Sequence, residues 1–283
     1  MGKIHDALQR AEQARRGVDT ALEVPAAELP AGTSAASAEP APRLRSWSLR
    51  RRAKPVRSAA PARNDEVVLP ASSGSPLSEE FRTLRARIQS LRRTRELRTI
   101  VVSSTRPGEG KTTTAVNLAL SFGLERENSV CLVDADLRTP RVQNAFPAGP
   151  VGLAEVLEGD AKLEEALVAV PDTRLMVLPV KALPSAPSEL LSARVMADLL
   201  AELCTRFQTI IVDAPPVLGL PDTVTLVDLC DAALFVVGAG RAPRDEVESA
   251  LGRLDANKLI GVVLNRCDRT EASYLGSYGY GKS

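Results

Sequence analysis

The sequence predicts an α/β domain built as a doubly wound, mainly parallel sheet. Three observations carry this. Apolar runs of strand length recur between residues 99 and 265, helical patterns separate most of them, and the runs are apolar along their whole length. A strand with no polar face is buried on both sides, as happens when helices cover both faces of a parallel sheet.

The elements follow in order. Leu77, Phe81, Leu84, Ile88 and Leu91 recur at helical spacing and predict a helix that opens the domain. The predicted strands are "TIVVSS" (99–104), "SVCLVD" (129–134), "RLMVLPV" (174–180), "QTIIVD" (208–213), "AALFVVG" (232–238) and "LIGVVLN" (259–265). Helical patterns lie around 111–123, 188–205 and 243–256. Ahead of this domain, Ile4, Ala7, Leu8 and Ala11 predict a short amphipathic helix over 1–16. Residues 17–74 hold seven prolines and no sustained periodicity, and read as a disordered linker. Within it, residues 43–63 carry eight Arg or Lys and no acid. That stretch is either solvated and self-repelling or a peripheral foothold on anionic lipid, at about 1 kcal/mol per basic residue. The domain itself is expected over 75–270, with a tail at 271–283.

Composition narrows the function classes. Aromatic residues make up 3% of the chain and the hydrophobic set 44%, so the core is aliphatic. A formal charge of +1 excludes a strongly basic nucleic-acid binder as a whole-chain description, and Trp47 alone is available for stacking in the basic stretch. Cys131, Cys204, Cys230 and Cys267 form no C-x-x-C pair, and His5 is the only histidine, which leaves no zinc or Cys/His catalytic set. Such isolated cysteines read as small buried hydrophobes in a reducing cytoplasm. No apolar run is long enough for a transmembrane helix, and the charged start lacks a signal-peptide core.

The chemistry begins where the first strand runs into "SSTRPGEGKTTT" (103–114). A glycine loop between a buried strand and a helix start is a phosphate cradle. Gly108, Glu109 and Gly110 turn backbone N–H groups inward, Lys111 adds a mobile point charge, Thr112 offers a hydroxyl to Mg²⁺, and Thr113 continues the helix start. One departure is Thr105, which stands where the loop pattern has glycine. Asp134 and Asp136 end the second strand and Asp213 ends the fourth. Parallel strands end on one edge, so the three carboxylates should converge on the phosphates as a Mg²⁺–nucleotide site.

The ordered set Ser-Ser-x-x-Pro-Gly-Glu-Gly-Lys-Thr, apolar-Asp-x-Asp-x-Arg and apolar-Asp-x-Pro-Pro resembles the bacterial tyrosine kinases of polysaccharide assembly, whose fold is MinD/ParA-like. The likeness extends over about residues 75–283, includes "PSAPSELL" (184–191), and the amino-terminal "MGKIHDALQRAEQAR" is similar to the starts of such kinases that lack their own membrane domain. The resemblance implies that Lys111 binds the β/γ-phosphates of ATP. It implies that Thr112 and Asp136 hold Mg²⁺ with Asp213 behind them, and that Asp134 orients the incoming tyrosine hydroxyl. It further implies that Asn265 reads the adenine, and that Glu79, Arg82 and Arg85 build a ring-like homo-oligomer. Spacing alone allows those last three to be intrahelical ion pairs. One feature departs from the family: Ala214 follows Asp213 in place of a hydroxyl residue. Arg106 stands where the MinD/ParA branch has its signature lysine, which argues for the kinase branch.

All three tyrosines, Tyr274, Tyr278 and Tyr280, lie in the Gly- and Ser-rich last ten residues. With a kinase site upstream they become phosphoacceptors, reached between subunits. The resemblance adds a membrane-embedded polysaccharide co-polymerase as activator and places the chain at the inner face of the plasma membrane. The competing expectation is an ATP-driven MinD/ParA-like switch that phosphorylates no protein, for which a terminal tyrosine cluster has no use.

Overall fold

The structure is a computed structural model that describes residues 76–192 and 194–267. The expected amino-terminal helix, the linker with its basic stretch, and the tyrosine tail lie outside the described residues.

Helix α1 (Pro76–Leu91) leads into β1 (Thr99–Ser104), α2 (Lys111–Gly123) and β2 (Val130–Asp134). Three short helices follow, α3 (Val142–Ala145), α4 (Leu153–Glu158) and α5 (Leu163–Ala166), then strands β3 (Val168–Ala169) and β4 (Leu175–Leu178). Next come α6 (Pro187–Ser192), α7 (Arg194–Arg206), β5 (Thr209–Asp213), α8 (Asp222–Leu229), β6 (Ala232–Gly238), α9 (Arg244–Leu251) and β7 (Leu259–Asn265). The sheet order is β3-β4-β2-β5-β1-β6-β7, and every pairing is parallel except β3 with β4. The predicted parallel α/β architecture is the one observed.

Successive residues of each strand serve opposite faces. On β1, Val101 packs with Cys131, Val133, Ile210 and Val212 under leucines of α7, including Leu199, Leu200 and Leu203. Its neighbours Ile100 and Val102 pack with Leu132 and Ile211 under α2, through Val116, Ala119 and Phe122. Helix α2 is buried at every position but Thr113, because α1 covers its outer side with Ile88 and the partly buried Phe81, Leu84 and Leu91. A fully buried helix needs no polar stripe, which is why "AVNLALSFG" follows the lysine and threonines.

The expectation of buried cysteines holds for Cys131 and Cys230 and is corrected for Cys204 and Cys267. Cys131 and Cys230 are buried, and burial pushes the Cys230 thiol up to about 12 and Cys131 higher still, so neither is a nucleophile at neutral pH. Cys204 and Cys267, however, are only partly buried, since they lie near the ends of α7 and β7 rather than in the sheet.

Candidate active site

The register of the sheet sets the site. β2 and β5 are neighbours, and Asp134 pairs directly with Asp213, so two carboxylate-bearing residues end adjacent strands side by side. β1 lies on the other side of β5 and delivers the glycine loop to the same edge. The predicted convergence of the loop with Asp134, Asp136 and Asp213 is therefore a consequence of strand order.

The loop is held in shape by its own residues. Gly108 and Gly110 have φ of 84° and 98°, the left-handed region that costs glycine little. Gly110 has a second reason to lack a side chain, since a Cβ there would lie 1.9 Å from Asn265 Nδ2. The Glu109 side chain is fully buried and turned back on the protein, accepting from Arg106 N at 2.7 Å and from Gly238 N at 3.2 Å. Glu109 thus anchors the loop to the end of β6, and only its backbone N–H is left to serve a ligand. Asn265 Nδ2 donates to the Glu109 carbonyl at 2.9 Å, tying β7 to the same loop. Thr105 is fully buried, and its carbonyl accepts a long bond of 3.4 Å from Leu218 N. Ala214 is fully buried as well, its N–H on the Val102 carbonyl at 3.0 Å.

Lys111 sits at the first position of α2, 7% exposed, with Nζ 2.8 Å from Asp136 Oδ2 and 3.5 Å from Asp213 Oδ1. Thr112 Oγ1 donates to Asp213 Oδ2 at 2.7 Å. Asp136 also accepts from Thr139 N at 3.0 Å and from Thr139 Oγ1 at 3.2 Å. Asp134 stands just behind, accepting from Asp136 N at 3.2 Å and from Val142 N at 3.1 Å. One ammonium therefore faces three buried carboxylates. Burial raises the Asp134 carboxyl well above the usual range, and Asp213 beside it adds repulsion that Lys111 and the Val142 N–H only partly offset. Burial raises Asp213 too, against the pull of Lys111 and Thr112. Burial alone would lower Lys111, but Asp213 and Asp136 outweigh it and hold it above its ordinary value.

Such a negative surplus suits a divalent cation and a lysine that can turn toward phosphate. Among the described residues no three acidic, Cys or His side chains gather into a metal cage. Two carboxylates and a threonine hydroxyl fit Mg²⁺, which keeps several waters and takes phosphate oxygens as ligands. Beyond the loop, Thr113, Thr114 and Asn265 line one side of a cavity of about 430 Å³, with Phe81, Leu84 and Arg87 of α1 opposite.

The helix α1 residues behave differently from one another. Arg82 pairs with Glu79 one turn away, both exposed, as spacing alone allows. Arg85 is drawn inward, donating to the Ser121 carbonyl and lying 3.3 Å from Glu125, so it docks α1 on the end of α2. Sequence reasoning missed this, because the partners are 36 and 40 residues away. It also missed the partner of Arg106, which pairs with Glu246 of α9, and no local pattern signals a contact across 140 residues.

Residues 97–239 match the family model described as an AAA domain. The chain is 35% identical over 205 residues to the tyrosine-protein kinase YwqD of Bacillus subtilis, covering 71% of this chain and 86% of that protein. It is 30% identical over 237 residues to the succinoglycan biosynthesis transport protein ExoP of Rhizobium meliloti, covering 82% of this chain and 30% of that one. Among solved structures, the kinase domain of the Escherichia coli tyrosine kinase ETK superposes with a TM-score of 0.62 at 26% identity, over 72% of this chain and 80% of that one. The MinC:MinD cell division complex of Aquifex aeolicus, at 22% identity and a TM-score of 0.51, over 62% of this chain and 72% of that one, shares the fold.

Proposed function

The chain belongs to the bacterial tyrosine-protein kinases, and from that premise we propose that it transfers the γ-phosphoryl group of ATP to Tyr274, Tyr278 and Tyr280 of a neighbouring copy's tail. The single observation that carries the reading is the placement of Lys111, Thr112, Asp134, Asp136 and Asp213 within one buried cluster at the mouth of the glycine loop.

The roles follow from position. Lys111 leaves Asp136 and binds the β/γ-phosphates, and the α2 amino terminus with the N–H groups of Gly108, Glu109, Gly110, Lys111, Thr112 and Thr113 cradles them. Thr112, Asp136 and Asp213 are the residues that would hold Mg²⁺, which would supply positive charge to offset the charge developing on the phosphates. Asp134 lies next to that set without touching Lys111, and its carboxylate orients the tyrosine hydroxyl in line with the phosphorus. A carboxylate is a weak base for a phenol of pKa about 10, but phosphoryl transfer has a loose transition state and the proton leaves late. Adenine occupies the cavity between α1 and Asn265, whose bond to the Glu109 carbonyl leaves its own side-chain oxygen for the base.

The relatives' names extend the reading to its setting. ExoP is a succinoglycan biosynthesis transport protein. This chain accordingly regulates capsule or exopolysaccharide synthesis and export. No described helix is long and apolar enough to cross a membrane. On the family resemblance, the chain works at the inner face of the plasma membrane with an embedded partner, in a ring to which the exposed Glu79 and Arg82 contribute and which would require Arg85 to leave Ser121 and Glu125.

The test is to incubate the purified chain with Mg²⁺-ATP, with and without a cytoplasmic fragment of the membrane partner, and map phosphate by mass spectrometry. A Lys111→Met acceptor mixed with a donor ending at residue 270 should be labelled on the three tyrosines. ATP hydrolysis without tyrosine phosphate would leave the switch reading in its place.

A further inference from the structure

Arg138 lies two residues beyond Asp136, in the loop that follows Asp134 at the end of β2 and carries Asp136. Its guanidinium reaches away from the site, into two other elements. Nε donates to Asp222 Oδ2 at 3.2 Å, on the first turn of α8, and Nη2 donates to Ser188 Oγ at 2.7 Å, on α6. Ser188 passes its own proton on to Asp222 Oδ1 at 2.5 Å. Both oxygens of Asp222 are thereby engaged, and the residue is 2% exposed.

The far end of this network is itself fixed. The segment that begins at Asp213 and ends at Asp222 is fastened to β1. Val217 N donates to the Ser104 carbonyl at 2.9 Å, and the Pro215 carbonyl accepts from Ser103 Oγ at 2.6 Å and from the Thr223 hydroxyl. Arg138 therefore joins the loop that holds Asp136 to the segment that starts with Asp213. Within the loop, Thr139 N and Oγ1 bond the Asp136 carboxylate, so a displacement of residues 138 and 139 is transmitted to that side chain.

In the structure Lys111 also links Asp136 and Asp213. A lysine that turns to phosphate gives up that link, and two like charges then meet with nothing between them until the cation arrives. We infer that Arg138 is a positioning residue, which through Asp222 and Ser188 keeps Asp136 at metal-binding distance from Asp213 when Lys111 is engaged elsewhere. The inference rests on reading the cluster as a Mg²⁺–nucleotide site, and it does not depend on which group accepts the phosphate.

The test measures binding of a fluorescent ADP analogue as Mg²⁺ is titrated, with a metal-free arm in EDTA and a melting temperature for each variant. Arg138→Lys keeps the charge but cannot donate to Asp222 and Ser188 in the same fork, and Ser188→Ala removes one anchor while leaving the ion pair. Arg138→Lys should raise the Mg²⁺ concentration needed for half-maximal tightening about 10–100-fold, the usual cost of losing an outer support of a metal ligand. Ser188→Ala should shift it in the same direction by less. Affinity in EDTA should stay at the wild-type value for both. A lowered melting temperature with an unmoved Mg²⁺ midpoint would make the network an ordinary structural ion pair and overturn the inference, as would an equal loss of affinity in EDTA. Wild-type binding that ignores Mg²⁺ would instead sink the underlying reading of the site, a result seen before any variant is made.

Discussion

The two ends of the sheet treat charge in opposite ways. At the amino end of β1, the Asp231 carboxylate accepts from Arg98 N at 2.8 Å, Thr99 N at 2.8 Å and Thr99 Oγ1 at 2.9 Å. The Asp231 N–H is in turn received by Thr99 Oγ1 at 2.8 Å. That charge is spent on joining the start of β6 to β1. At the carboxyl end, three carboxylates share one ammonium, and two of them are held above their ordinary range by burial. An under-compensated cluster costs stability and is retained where a ligand completes it. The contrast sets a carboxylate satisfied within the fold against a cluster that the proposed Mg²⁺–nucleotide would complete.

Substitutions at the two ends should break this contrast cleanly. The largest effect is expected from Lys111→Met, which should lower phosphotransfer at least about 10²–10³-fold, the scale of losing one preorganised electrostatic contact, as read by radiolabel from ATP. Asp231→Ala should do the reverse, lowering unfolding free energy by about 2 kcal/mol in urea through donors left without an acceptor, while turnover per folded molecule is unchanged.

A pH series sharpens the comparison further. Asp134 and Asp213 bind protons more readily folded than unfolded, where carboxyls titrate near pKa ~4. The nucleotide-free protein should therefore lose stability as pH rises above that range, until the raised groups have ionised. The Asp134→Asn variant should melt progressively higher relative to wild type as pH increases from 5 to 8. A melting difference that does not change with pH would contradict uncompensated charge at this position. Raised Lys111 opposes no part of this, since its stabilisation is lost only at alkaline pH.

The smallest effects belong to α1. Arg85→Ala should lower stability by about 1 kcal/mol by removing the donor to the Ser121 carbonyl and the ion pair with Glu125, which keeps its bonds from Gln89. Arg82→Ala should cost less than about 0.5 kcal/mol, because its pair with Glu79 is exposed. Light scattering on both, alone and combined, checks whether either shrinks the oligomer.

Much of the site was legible because its signals are local. β1, β6 and β7 have the bounds that their apolar runs predict, and β2 and β5 begin one residue later. The glycine loop and the strand-end aspartates then converge as parallel register requires. Other features were not legible, for physical reasons. Strand β3 is two residues long, too short for any periodicity, and it turns antiparallel at the sheet edge. Helix α8, "DTVTLVDL", is rich in β-branched residues and is helical through its packing, with Leu226 and Val227 in the core. The bonds of Glu109 to Gly238, of Asn265 to Glu109 and of Arg138 to Asp222 join residues 129, 156 and 84 apart. Side-chain contacts of that range leave no trace in composition or spacing.

The division of labour inside the cluster is the central claim, and Asp134→Asn tests it most directly. Nucleotide affinity and tyrosine phosphate should be measured on the same preparation in the presence of Mg²⁺. The variant should bind ATP as wild type does, since Lys111, Thr112, Asp136 and Asp213 are untouched, and should lose transfer about 10²-fold or more. Loss of ATP binding, or transfer at the wild-type rate, would contradict the role assigned to Asp134 and with it the reading of the cluster as a kinase site.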